Sequence, residues 1–552
     1  MDPRRDPRGG QRDRLAADPR QGGRAVTLAP APTAATTAAV LHPPNRRRVQ
    51  LLVALALTAS AWYFSWLLVP GRIGNPWLYG LLVVAEVFNV VQALGFWWTL
   101  LHDRPSRRAV PPARWTTVDV LVPRYDEPAS VVEPVVAAAT ALRGADVRVH
   151  LLDDGDDPAM AALAARHGVH YVTRAEHAGA KAGNINHALG LVDGELVLVL
   201  DCDHVPHPEL LRRTMGHLAD ERVAFVQTPQ YYANADRNPV AAAAWSQQAL
   251  FFGSIARGKA DLGAMFCCGT NVLFRRSALD DVGGFPQDSV TEDFELSLRL
   301  HQRGWRSEYV PEVLVQGLGP EDMSAYVGQQ LRWARGCLSA LGRGLTARLP
   351  WRTRLQYVLS SMYFLSGWTV LVYVSLPIVR ILTGEQAVAA ASADSFLLHF
   401  APYFVLSIAT VAVGGAGTYA FSAFALASAS CWIHVVASLQ VLTRRKGRFV
   451  VTPKDGAGLW QPLSVWPGLL LCLALLGTAG WGLAQSRDAG MLNNVAFCLL
   501  HVLVIGTGIS WALRPSFLER RAATVAPGES RWGSSDGRPH DEDVVGRLVP
   551  AP

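Results

Sequence analysis

Two aspartates one residue apart, Asp201 and Asp203, end the apolar run Leu196-Val197-Leu198-Val199-Leu200. Residues i and i+2 of an extended chain point the same way, so both carboxylates leave that run side by side. Like charges this close repel unless a cation stands beside them. A divalent metal gripping a phosphate-bearing ligand is the chemistry that fits. More groups of this kind recur along the segment. Arg124-Tyr125-Asp126-Glu127 and Asp153-Asp154-Gly155 each follow a strand-like run, and His177-Ala178-Gly179-Ala180-Lys181 opens a helical one. Farther on come Phe266-Cys267-Cys268-Gly269-Thr270, Thr291-Glu292-Asp293 and Gln329-Gln330-Leu331-Arg332-Trp333. Asp and Gly are ordinary turn residues, so the joint order carries the weight rather than any single cluster.

These groups need strand ends to hold them. Strand-like runs fall at 118–123, 147–153, 170–173, 195–200 and 223–227, separated by helix-like stretches at 131–143, 158–166 and 180–191. Such alternation predicts a largely parallel sheet with covering helices over 115–350. Its strand ends converge on one crevice, where ligands of open α/β sheets bind.

The rest of the chain is of another kind. Half of the 552 residues are hydrophobic and the mean hydropathy is +0.17, which argues against a purely soluble enzyme. Segments 49–70, 77–101, 357–382, 397–415, 464–485 and 491–513 are each apolar for about the ~20 residues a span needs. They predict six spans: a hairpin over 49–101, further spans over 357–415 and a second hairpin over 464–513. Residues 417–443 read as an interfacial helix, with a further span the alternative, within a 417–463 region of helix and loop. Arg46–Arg48 before the first hairpin and Arg104, Arg107 and Arg108 after it place the α/β domain and both termini on the cytoplasmic side. Residues 1–48 and 514–552 read as disordered tails, and the apolar stretch starts too late for a cleavable signal. The formal charge of +6 owes much to the first tail; no nucleic-acid module accompanies it, so a nucleic-acid partner is not expected. None of the seven cysteines has zinc-ligand spacing or falls in an expected external loop, so no disulfide framework is expected.

Asp154, Asp201-Cys202-Asp203, Thr291-Glu292-Asp293 and Gln329-Gln330-Leu331-Arg332-Trp333 resemble the D, DxD, TED and QxxRW series of the family 2 glycosyltransferases. More narrowly, the chain resembles the bacterial cellulose synthase catalytic subunit over roughly 50–513. Phe266–Thr270 is similar to that group's FxCGT motif, and Phe449-Val450-Val451-Thr452-Pro453-Lys454 to its FxVTxK gating loop. The resemblance implies a GT-A (Rossmann-like) α/β cytoplasmic domain inserted in a bundle of about six transmembrane helices with interfacial helices. It implies a processive, inverting polymerisation of glucose from UDP-glucose into a β-glucan that leaves through the plasma membrane. β-1,4 linkage is the default; β-1,3 or mixed-linkage glucan, mannan, or non-processive transfer to a lipid carrier are the alternatives. A transporter with a nucleotide-binding regulatory domain is the reading from another class, and it would expect ionisable groups inside the spans, which are scarce.

Roles follow position by position. Tyr125, Glu127, Asp154, Lys181, Asp201, Gln329 and Arg332 would bind the donor nucleotide, with Lys181 a point charge on uridine or diphosphate. Asp203, supported by Asp201, would hold Mg²⁺ or Mn²⁺. Asp293 would be the general base beside Glu292. Trp333, Cys268 and Gly269 would line the acceptor end; Phe449, Thr452 and Lys454 would close over the donor. Partners so implied are the UDP-sugar, the growing β-glucan, the bilayer and an accessory export protein. Arg124 and Asp126 stand where the family has Thr and Asn, which adds charge near the base-binding edge. The expected tail in place of a PilZ barrel implies no built-in response to cyclic-di-GMP.

Overall fold

The computed structural model describes residues 41–104, 116–236, 238–389, 392–444 and 461–513. The gating-loop residues Phe449, Thr452 and Lys454 and most of both expected tails lie outside them. Ten strands form among the described residues: β1 Thr117–Arg124, β2 Asp146–Asp153, β3 His170–Val172, β4 Leu196–Val199, β5 Val205–Pro206, β6 Val223–Gln227, β7 Tyr231–Tyr232, β8 Val272–Arg275, β9 Arg306–Tyr309 and β10 Val315–Gly317. One sheet runs β3-β2-β1-β4-β8-β6-β9 and a small one β5-β10-β7.

The first four strands pair in parallel, as the alternation with helices predicts. β8 departs from that expectation. It lies antiparallel between β4 and β6, so the sheet is mixed. An antiparallel neighbour needs no crossover helix before it, and a four-residue run just after a motif gives no periodic signal of its own.

β1 and β4 are buried on both faces. Val118, Val120 and Val122 pack with Val132, Val135 and Leu163 from helices Ala129–Thr140 and Pro158–His167. Leu121 and Val199 pack on the other side with Ile185 of helix Ala180–Leu189. Full burial of each such side chain is worth ~1.5–3 kcal/mol. That fixes the register: Arg124 opposite Asp153, and Leu121 opposite Val199. The acidic groups after β1, β2 and β4 therefore emerge along one edge.

Among the described residues, six helices are long and apolar enough to cross a membrane: Arg46–Leu67, Pro76–Leu101, Trp351–Thr383, Asp394–Gly414, Trp466–Gln485 and Ala489–Leu513. A bent pair, Phe421–Ala429 and Cys431–Leu442, meets at 40° and would add a seventh span only if read as one. The spans meet the α/β part through buried polar contacts. Arg257 grips Asp103 with two hydrogen bonds of 2.6 and 3.0 Å, tying the end of helix Pro76–Leu101 to helix Ala256–Asp261. Helix Met323–Thr346, capped by Asp322 on the Ala325 N–H at 2.8 Å, packs between helix Trp351–Met362 and helix Cys431–Leu442.

Candidate active site

The strand edge is built from paired charges. Arg124 donates to Asp153 at 2.9 Å and to the Glu127 carbonyl at 2.9 Å. Burial alone would raise the Asp153 carboxyl. Arg124, two backbone N–H groups and Tyr171 outweigh it and hold the group below the usual carboxylate range. The charge that Arg124 adds is thus spent inside its own loop. Glu127 folds back to accept from the N–H groups of Tyr125 and Asp126 at 3.0 and 3.2 Å, while the Tyr125 ring stays exposed at the rim. Asp154 is closed by a fork: Arg174 donates to its two oxygens at 2.7 and 2.6 Å. The same guanidinium donates to the carbonyls of Ala178 and Ala180 at 2.7 and 3.0 Å. It thereby holds a turn in which Gly179 and Ala180 take φ of +76° and +46°. One residue later stands Lys181.

Lys181 joins three of the motifs. Its amine pairs with Asp201 and donates to the Gly269 carbonyl at 2.7 Å. Burial works against its charge, but Asp201, Glu292 and Asp293 overcome this and raise its pKa. Gly269 sits at φ +83°, where a Cβ would stand 3.0 Å from Asp293 Oδ2. Glycine lets the chain pass this close to the carboxylate. Asp293 lies in the first turn of helix Glu292–Gln302 and accepts from the Phe294 N–H at 2.7 Å. Burial, then the charge of Glu292, push its carboxyl up to about 7 against the pull of that N–H and of Lys181.

Two further connections fix the cluster. Ser297 donates to the Asp293 carbonyl at 2.8 Å and accepts from the Cys267 N–H at 2.7 Å. Gly336 leaves no room for a Cβ against Thr291, so helix Met323–Thr346 rests directly on the start of the Asp293 helix. Along that helix Gln329 and Arg332 lie near the buried Tyr232 phenol, as does Asp203; burial first and Asp203 next raise that phenol's pKa, and Gln329 and Arg332 oppose. Trp333 is half-buried and packs with Leu338, Phe364 and Ala437. Cys268 is held by its N–H to Gln227 at 2.8 Å and by its carbonyl, which accepts from Gln230 at 2.7 Å.

The expected donor-side and base residues therefore fall into four places. Lys181, Asp201, Gly269, Glu292 and Asp293 meet at one point. Asp203, Gln329 and Arg332 meet around Tyr232. Tyr125 and Glu127 stand at the rim, and Asp154 faces Arg174. Four contributors escaped the sequence reading: Arg174, His204, Tyr232 and Lys259. Arg174 had a signal, a lone arginine just past a strand end within a series of carboxylates. Lys259 had none. Its amine is buried under the Phe266 ring and donates to Gln356 and Ser360 at 2.8 Å each. Burial pushes its pKa down to about 7, with the Cys268 and Cys337 thiols nearby.

A divalent cation fits the acidic pair. Asp201, Asp203 and His204 each place one donor atom within 4.8 Å of the others. His204 Nδ1 lies 2.8 Å from Asp203 Oδ1, and its Nε2 is buried without a hydrogen-bond partner among the described residues. Two carboxylates with an imidazole suit Mn²⁺, and the carboxylates alone suit Mg²⁺.

Residues 196–437 match the family model described as glycosyl transferase family group 2. The cellulose synthase catalytic subunit [UDP-forming] of Pseudomonas fluorescens (strain SBW25) is 31% identical over 524 residues, covering 90% of this chain and 69% of that one. The chain belongs to the family 2 glycosyltransferases. This glycosyltransferase is also 32% identical over 503 residues to Cellulose synthase 1 of Komagataeibacter xylinus, of whose length it spans about a third (32%). Its fold is similar to that of a mannosyltransferase from Pyrobaculum calidifontis solved with GDP-Man and Mn²⁺. The TM-score is 0.50 at 18% identity, covering 67% of the glycosyltransferase chain and 100% of that one.

Proposed function

We propose that this glycosyltransferase polymerises glucose from UDP-glucose into a β-glucan and passes the polymer across the plasma membrane, its catalytic domain and termini facing the cytoplasm. One arrangement carries the reading: the half-buried Asp293 carboxylate stands against Gly269 and Lys181, at the end of the edge that presents Asp201 and Asp203. A base poised near neutrality beside a lysine and a carboxylate pair that can take a divalent cation is what glycosyl transfer from a nucleotide requires.

The ionised Asp293 takes the proton of an acceptor hydroxyl. The freed oxygen lone pair attacks the anomeric carbon from the face opposite UDP, and the bond to the diphosphate oxygen breaks. An α-linked donor so becomes a β-link. Lys181 and Arg332 meet the charge that grows on the departing diphosphate. Mg²⁺ or Mn²⁺ held by Asp203 and Asp201, with His204 beside them, would supply further positive charge there. Arg174 holds Asp154 and the turn before Lys181 in place. Trp333 offers an indole face to the acceptor ring, with Cys268 and Gly269 beside it. Phe449, Thr452 and Lys454 would close over the donor.

The test is incorporation of radiolabelled UDP-glucose by membranes with Mg²⁺, followed by digestion with linkage-specific glucanases. Expected is a high polymer that a β-1,4-glucanase degrades, lost on chelation and restored by Mn²⁺ or Mg²⁺. Chloroform-soluble label would replace this reading by lipid-linked transfer. No incorporation from any UDP-sugar would end it.

A further inference from the structure

We infer that a cavity between the last turn of helix Glu292–Gln302 and the end of helix Met323–Thr346 binds a phosphate-bearing anion, and that this phosphate is the headgroup of an anionic phospholipid. The cavity encloses about 500 Å³ and is lined by Val282, Arg299, Gln302, Arg303, Thr346 and Arg348. Three guanidinium groups face it and no carboxylate is among its lining residues.

The arginines are available. Arg348 is exposed and makes no ion pair among the described residues. Arg299 reaches Asp288 at 3.5 Å and Arg303 reaches Asp281 at 3.7 Å, in both cases across largely exposed surface. Pairs of that length and exposure contribute little and give way to a better acceptor. The one buried carboxylate nearby, Glu295, stands 3.4 Å from Arg299 but is met at 2.6 Å by Arg343, so its charge is already balanced. A phosphate ester fits such a fork of guanidinium donors.

The surroundings point to a lipid rather than a free phosphate. Arg348 precedes by three residues Trp351, where the candidate span Trp351–Thr383 begins. Trp351 stacks on Trp98, with ring centroids 5.6 Å apart and planes at 4°, near the end of span Pro76–Leu101. Paired indoles at the ends of two spans mark the level where headgroups meet hydrocarbon. Beside the cavity, Leu345 is 55% and Trp351 60% exposed, an apolar surface that acyl chains would cover. A basic cavity at headgroup level beside exposed apolar side chains suits anionic lipid. Its two walls belong to the helices that carry Asp293 and Arg332, so an occupant would brace one against the other.

Binding is read without catalysis, so the outcome does not depend on the proposed activity. The full chain is placed in nanodiscs mixing phosphatidylglycerol with phosphatidylcholine, and the lipid it retains is counted by native mass spectrometry. Expected is preferential retention of phosphatidylglycerol, falling on the order of a hundredfold in Arg299→Gln/Arg303→Gln/Arg348→Gln and largely kept in the triple lysine variant. Arg348→Gln alone, at an exposed site without an ion pair among the described residues, leaves the fold intact and should still lose about fivefold. The distant exposed pair Arg212→Gln/Arg213→Gln should change nothing. Equal retention by the wild type and Arg348→Gln overturns the site. Binding of glycerol 3-phosphate, without lipid, as tightly as phosphatidylglycerol overturns the lipid assignment.

Discussion

The strand-end half of the site and the half that faces the spans hold charge in opposite ways. At the strand ends charges are paired: Asp153 with Arg124, Asp154 with Arg174, Asp201 with Lys181. Arg124 holds the Asp153 carboxyl below the usual carboxylate range, and Arg174 and Lys181 stand directly against Asp154 and Asp201. On the other side burial outruns pairing. Asp293 rises to about 7 although Lys181 opposes the shift, and Lys259 falls to about 7 among neutral partners. One half is set to bind charge and the other to change protonation. That division suits a reaction with an anionic leaving group and a neutral nucleophile.

The largest break in this contrast is Asp293→Asn. Removing a general base costs 10²–10⁴-fold, so polymer synthesis should fall by about 10³-fold with donor binding retained. The same change should raise the melting temperature above pH 7. A carboxyl with a raised folded pKa loses stability as pH climbs from its unfolded value through about 7, and the amide removes that loss. Stability that drops in parallel with activity would sink the assignment.

Next is the fork on Asp154. Arg174→Gln leaves a buried carboxylate uncompensated, which costs ~3–5 kcal/mol, and frees the turn before Lys181. We expect a lower melting temperature and a raised KM for the donor. Arg174→Gln/Asp154→Asn should recover stability relative to the single change, as a double-mutant cycle would show.

The pH profile sharpens the comparison. kcat/KM should rise as pH passes through about 7, because Asp293 must lose its proton to act. Lys181→Met should move that limb to higher pH, since Lys181 draws the carboxyl down. A limb that stays put would remove Lys181 from the electrostatics of the base.

The smallest effect belongs to Lys259→Met. A buried amine without a counter-charge stabilises little, and an apolar replacement of similar volume is often neutral or better. Its depressed folded pKa makes wild-type stability rise with pH from about 7 toward the ordinary lysine value. The methionine variant should show a flatter curve in thermal melts at several pH values.

Much of this was legible beforehand because it rests on local pattern. The runs ending at Arg124, Asp153 and Leu200 are apolar enough to be strands buried on two faces, and their acidic ends had to fall on one edge. The six apolar segments announced themselves by length. β8 did not, since four residues just after a motif carry no period. Nor did the closing of Asp154 by Arg174, twenty residues on, which needs β2 and β3 laid side by side.

By itself the sequence determined the order of the acidic and aromatic motifs, the strand ends that carry them and the apolar lengths of the spans, because each depends on neighbours within a few residues. Only the tertiary structure decided which carboxylates meet a cation directly and which are pushed up by burial. Asp201 and Asp293 are both acids at the edge of a motif. What separates them is the partner and the surroundings that packing supplies: an amine held against Asp201, and for Asp293 a half-buried seat beside Glu292 and Gly269.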